Sequence, residues 1–118
     1  MNLEELLSQL NSAPNTVEFN DVISVIEQYY DYQATEFTNG VGDGRVTNLA
    51  GSNEGSCKIF SFAALNNLTE AQTLACFGQY YRDDVLKNSD GDDHQNIRNF
   101  IKNGWAGVSF EKQALELK

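Results

Sequence analysis

The stretch "SCKIFSFAALNNL", residues 56 to 68, reads two ways, and the choice sets the central element of the fold. As a helix capped by Ser56 it would pack Ile59, Phe60, Phe62 and Ala63 inward; as a strand it would alternate Phe60, Phe62 and Ala64 on one face. Its length and the pair Ala63-Ala64 favour the helix, since alanine is the strongest helix former and strands are usually shorter.

Upstream, Leu3, Leu6, Leu7 and Leu10 recur at helical spacing behind Asn2, an N-cap with Glu5 three residues on, which predicts a helix over 2–12 ended by Pro14. A second helix is predicted over 17–30, capped by Asn15 with Glu18, burying Phe19, Val22, Ile23, Ile26 and Tyr30 and leaving Tyr29 and Tyr32 at its edge. From Tyr32 to Gly55 five glycines separate two β-prone pieces, "ATEFT" and "RVTNL", read as short strands or extended arms.

Downstream, "TEAQTLACFGQYYRDDVL", residues 69–86, opens on a capping box of Thr69 and Gln72 and carries Leu74, Phe77, Tyr81 and Val85 on one face, predicting one continuous helix. "DDHQNIRNFIKNGW" predicts another, with Asp92 or Asp93 as N-cap, Ile97, Phe100 and Ile101 buried, Lys102 in the last turn and Gly104 as the stop. The tail alternates around Val108 and Phe110 and then loses its pattern. About five helices with a few short strands in the middle and at the C-terminus make an α+β fold, and 118 residues suffice for a single small domain.

Net charge is −9, and residues 1–44 hold eight of the seventeen acidic side chains and none of the eight basic ones. Such a field repels phosphate backbones and anionic lipid, so it argues against nucleic acid and membrane and favours a protein partner with a basic surface. The leucines of the first helix are interrupted by charge and no basic residue precedes them, so neither signal peptide nor transmembrane span is read and a cytoplasmic protein is expected. Two cysteines without a CxxC pair suggest reduced thiols and no zinc.

Cys57 is the sharpest chemical candidate. In the first turn of a helix capped by Ser56 its thiolate would be stabilised by the unpaired N–H groups and the helix dipole, and His94, the sole histidine, could act as its base. The bland reading is that Cys57 and Cys76 simply pack. The glycine-rich segment contains neither GxGxxG before a helix nor a Walker lysine, but its polar side chains Asn39, Arg45, Asn48, Ser52, Asn53 and Glu54 could line a pocket near Cys57. "NSDGDDHQN" resembles a calcium loop until aligned: with Gly91 at the sixth place the end ligands fall on Leu86 and Ile97, so no metal is expected, and no cofactor.

Taken together, "GSNEGSCKIF", "TLACFGQYYRDDVL" and "DHQNIRNFIKNGWAGVSFEKQAL" resemble the signature blocks of the HopJ type III effector family of proteobacteria, over about Phe37 to Leu115. The resemblance implies a small protein assigned by similarity to an effector that type III secretion delivers to host cells, and it carries no established catalytic residue. Three readings follow: an effector-like protein acting by protein binding through its acidic amino-terminal helices; a cysteine-dependent hydrolase, deamidase or acyltransferase using Cys57 and His94; and an acidic type III secretion chaperone. The third predicts a homodimer, whereas the sequence leaves the oligomeric state open.

Overall fold

Residues 56 to 65 are helical, and the reason they read ambiguously is that the helix is buried on most of its circumference. In the computed structural model, which describes residues 1–118, α3 runs Glu54–Leu65 and buries Cys57, Ile59, Phe60, Ser61, Phe62 and Ala63. Five consecutive buried residues leave little amphipathic signal. Asn67 ends the run in the left-handed conformation, φ 54°, where the Leu68 N–H reaches the Ala63 carbonyl and the Asn67 N–H reaches that of Ala64. These are the two bonds of a Schellman stop, with asparagine in the place glycine usually takes.

The other elements pack around α3. Helix α1, Leu3–Ser12, begins with the expected box, Asn2 accepting from the Glu5 N–H while Glu5 accepts from Asn2, and buries Leu6 and Leu10. Helix α2 spans Phe19–Tyr29, later than expected: Pro14–Thr16 form a separate 3₁₀ turn, so Asn15 caps nothing and Glu18 takes the N-cap position without a side-chain bond. Tyr30 leaves the helix for a strand. Strand β1, Tyr30–Tyr32, pairs antiparallel with β5, Leu115–Leu117, in the tail where no pattern is legible. The second sheet is antiparallel in the order β3–β2–β4, from Val46–Asn48, Phe37–Asn39 and Val108–Phe110, which places strands in both β-prone pieces and around Val108 and Phe110.

The expected continuous helix over 69–86 is broken. Helix α4 covers only Glu70–Ala75, with Thr69 and Gln72 capping as read, and a π-helical segment resumes at Tyr80–Val85. Gly78 sits between them at φ +56°, and a Cβ there would come within 2.6 Å of the Phe19 backbone nitrogen. The chain approaches too closely for any side chain and cannot hold helical φ at that point. Helix α5, Gln95–Asn103, follows His94 and stops at Gly104, φ +60°, as expected, while Ile101 lies on its outer face.

One core of 23 buried hydrophobic residues joins the helices with β1, β2 and β5, and Val108 and Phe110 of β4 pack against it. Phe60 is its hub, with ring centroids 5.1 Å from Phe100, 5.5 Å from Phe77, 6.1 Å from Phe37 and 6.3 Å from Trp105. The architecture is α+β. No helix is long and apolar enough to cross a membrane.

Candidate functional site

The polar residues singled out in the glycine-rich segment divide into two groups. Asn39 and Asn48, at the ends of β2 and β3, are fully buried and face the first turn of α5. Asn39 Nδ2 donates to the Asn96 carbonyl at 2.8 Å and to its Oδ1 at 3.1 Å. Asn48 and Asn96 exchange amide bonds, 3.1 Å one way and 2.9 Å the other, and Asn53 donates to Asn48 Oδ1 at 2.7 Å. Asn99 Nδ2 donates to the carbonyls of Asn39 and Gly44. Five asparagines thus tie the three-stranded sheet to α5 and to the start of α3. Arg45, Ser52 and Glu54 stand outside, exposed, and Arg45 has no ion-pair partner.

Asn96 and Asn99 were missed in the sequence, although they flank Ile97 and Phe100 on the buried stripe of α5. A polar residue at a core position of an amphipathic helix is the signal that could have found them, because it must be hydrogen-bonded there.

Cys57 and His94 do not form the expected pair. Cys57 is 1% exposed, its sulfur 4.0 Å from the Thr35 carbonyl, and burial pushes its thiol pKa up, where an activated thiolate requires it lowered. The helix also starts earlier than expected: Asn53, at φ 52°, takes the N-cap position read for Ser56, and the Cys57 N–H is already spent on the Asn53 carbonyl at 3.0 Å, so burial is left to set the thiol. Tyr32 lies beside it, its phenol pKa raised by burial and then by the Glu54 carboxylate, with the Lys58 ammonium 4.8 Å from the ring centroid. Cys76 is likewise buried, its pKa pushed up to about 12.

His94 belongs to a different feature. It precedes α5 in the left-handed conformation, φ 49°, in the N-cap position read for Asp92 or Asp93. Its Nε2 lies 3.0 Å from Asp84 Oδ2 on the π-helical segment, and its ring packs 5.4 Å from that of Tyr80. Asp93 instead accepts from Arg98 at 2.6 Å, a bond that lowers its carboxyl pKa, while Arg98 also donates to the Asn88 carbonyl and closes the acidic turn. Within that turn no acidic cluster forms a metal-ligating group.

A cleft of about 380 Å³ opens between the amino-terminal ends of α3 and α5. Phe19 and Tyr80, their rings edge to face at 4.9 Å, line it together with Val46, Phe77 and Ile97. Asn53, Gly55, Ser56, His94 and Gln95 make the rim, so the cleft takes in Ser56 where the sequence pointed to Cys57. Neither helix start is capped by a side chain.

The amino-terminal third is set apart by its charge. Seven of the eight acidic residues of 1–44 are exposed, Glu36 being half-buried, and none of the eight takes part in an ion pair.

A profile described as HopJ type III effector protein matches residues 3–115. The chain superimposes on the crystal structure of a protein of unknown function, VPA0580, with a TM-score of 0.94 and 48% identity, covering 100% of this chain and 95% of that one. No curated protein matches it. With a family match over nearly its whole length, the chain belongs to the HopJ type III effector family.

Proposed function

We propose that this protein is effector-like in the sense of its family description and acts by binding a protein with a basic surface, through the acidic face of its first 44 residues. The observation that supports it is the scarcity of counter-charge: eight carboxylates and no lysine or arginine in that segment, none of them in an ion pair, with only the Lys118 ammonium at the Glu27 carbonyl and Lys58 over the Tyr32 ring brought in from the rest of the chain. A structural surface usually intersperses both signs, whereas a single-sign field steers an oppositely charged partner and raises its association rate. Tyr29, half-buried on the same third of the chain, supplies an aromatic anchor of the kind such contacts use, whereas the Tyr32 ring is already faced by Lys58. Delivery by type III secretion is the reading its family description supports.

Affinity capture from the secreting bacterium and from a candidate host cell, each with the native chain and with Glu4→Gln, Glu5→Gln, Asp21→Asn, Glu27→Gln combined, tests this. A protein retained by the native chain, lost by the neutralised one and released at high salt is the expected result. Equal retention by both chains refutes the acidic face as the contact.

A further inference from the structure

We propose that the cleft between α3 and α5 is a binding site for a small, uncharged, planar aromatic ligand that carries hydrogen-bond acceptors. The inference is independent of the acidic face, which lies on other residues.

Size and lining set the class. About 380 Å³ is at the lower end of ligand pockets, room for a ligand of one or two rings. Three aromatic side chains in sequence, Phe19, Tyr80 and His94, form a ring-bearing wall against which a flat ligand gains stacking or edge contact. The Ser56 hydroxyl on the rim makes no hydrogen bond within the protein, and the Asn53 and Gln95 amides each use one N–H on a neighbour, leaving the second to donate. An acceptor-bearing ring matches both halves.

Gly55 lets the aromatic wall rest against the first turn of α3: a Cβ there would come within 3.1 Å of Phe19 Cζ, so a side chain would push that ring aside and reshape the cleft. Tyr80 and Asp84 both come from the π-helical segment, a rare conformation found frequently at functional sites.

Charge narrows the class further. An anion in the cleft would meet the Asp84 carboxylate that holds His94, with Asp93 beyond it, and Arg98 offsets only Asp93. A cation would face the positive ends of two helix dipoles. With each sign opposed from one side, an uncharged ligand is preferred.

The test is a titration of the full chain followed by amide NMR, with benzamide as probe and benzoate, benzylammonium and cyclohexanecarboxamide as comparators. Expected are saturable shifts at Ser56, Gln95 and Ile97 with benzamide, and binding weaker by about tenfold or more for each comparator, a difference of about 1.4 kcal/mol. Gly55→Val and Tyr80→Leu should each abolish or weaken the benzamide shifts by a similar factor while the remaining spectrum stays folded. If Gly55→Val unfolds the protein, Tyr80→Leu alone decides. Absence of saturable shifts, unchanged affinity in the folded variants, or equal binding of either charged probe overturns the proposal.

Discussion

At the residue scale, burial decides the chemistry of the two thiols. Cys57 and Cys76 are 1% and 0% exposed, and each thiol pKa is raised because the interior disfavours the thiolate. Neither should be alkylated by iodoacetamide at neutral pH until the protein unfolds, measured by intact mass; rapid reaction of Cys57 would restore the nucleophile reading. The same shifts link stability to pH. A folded-state pKa above the unfolded one stabilises fully below the unfolded value and loses that contribution as pH rises. For Cys76 the window runs from about 9.0 to about 12, with a slope approaching about 1.4 kcal/mol per pH unit. Urea denaturation should show the native protein weakening through this range, and Cys76→Ala, although less stable at neutral pH, should fall off less steeply. The asparagine network gives a second residue-scale expectation. Asn48→Ala would leave the Asn96 and Asn53 Nδ2 donors without their acceptor, Asn96 Oδ1 keeping its bond from Asn39, at a cost of about 1–3 kcal/mol in urea unfolding.

At the scale of elements, local signals and close approaches compete. The capping boxes of α1 and α4 are local, made within four residues, and both form as the sequence indicates. The break after α4 is not local, for it depends on Gly78 meeting the backbone at Phe19. Gly78→Ala would place a methyl group 2.6 Å from that nitrogen at φ +56°, so it should destabilise by about 2 kcal/mol or more and shift the amide resonances of Phe19 and Tyr80. A mild effect with an unchanged spectrum at Phe19 would mean that the two segments separate easily. The swap of N-cap at α5 has a similar origin: Asp93 is drawn to Arg98, and His94 turns left-handed to meet Asp84.

At the scale of the whole molecule, a single aromatic hub and an unbalanced field set stability. Phe60→Ala removes the ring on which Phe37, Phe77, Phe100 and Trp105 converge, at a cost of about 3–5 kcal/mol, a large part of what a small domain possesses. Loss of near-ultraviolet circular dichroism at room temperature, or a greatly lowered urea midpoint, is expected. The acidic face should make thermal stability depend on salt: like charges without counter-ions repel, and added sodium chloride should raise the melting midpoint by screening them. A midpoint indifferent to salt would mean that the carboxylates lie too far apart to interact.

The sequence by itself determined what depends on neighbours a few residues apart: the capped α1 and α4 starts, the short strands among the glycines, the stop at Gly104 and the acidic amino-terminal third, while it only leaned towards the helix over 56–65. The family was legible too, because its blocks are long. Only the tertiary structure decided the rest. Asn39 and Asn48 became core groups, Cys57 lost its solvent, β5 found β1 at the far end of the chain with Tyr30 opposite Leu117 and Tyr32 opposite Leu115, and His94 joined Asp84 and Tyr80 at a cleft. Each of these turns on desolvation or on hydrogen bonds between residues distant in sequence, and neither quantity is encoded in the spacing of residues along the chain.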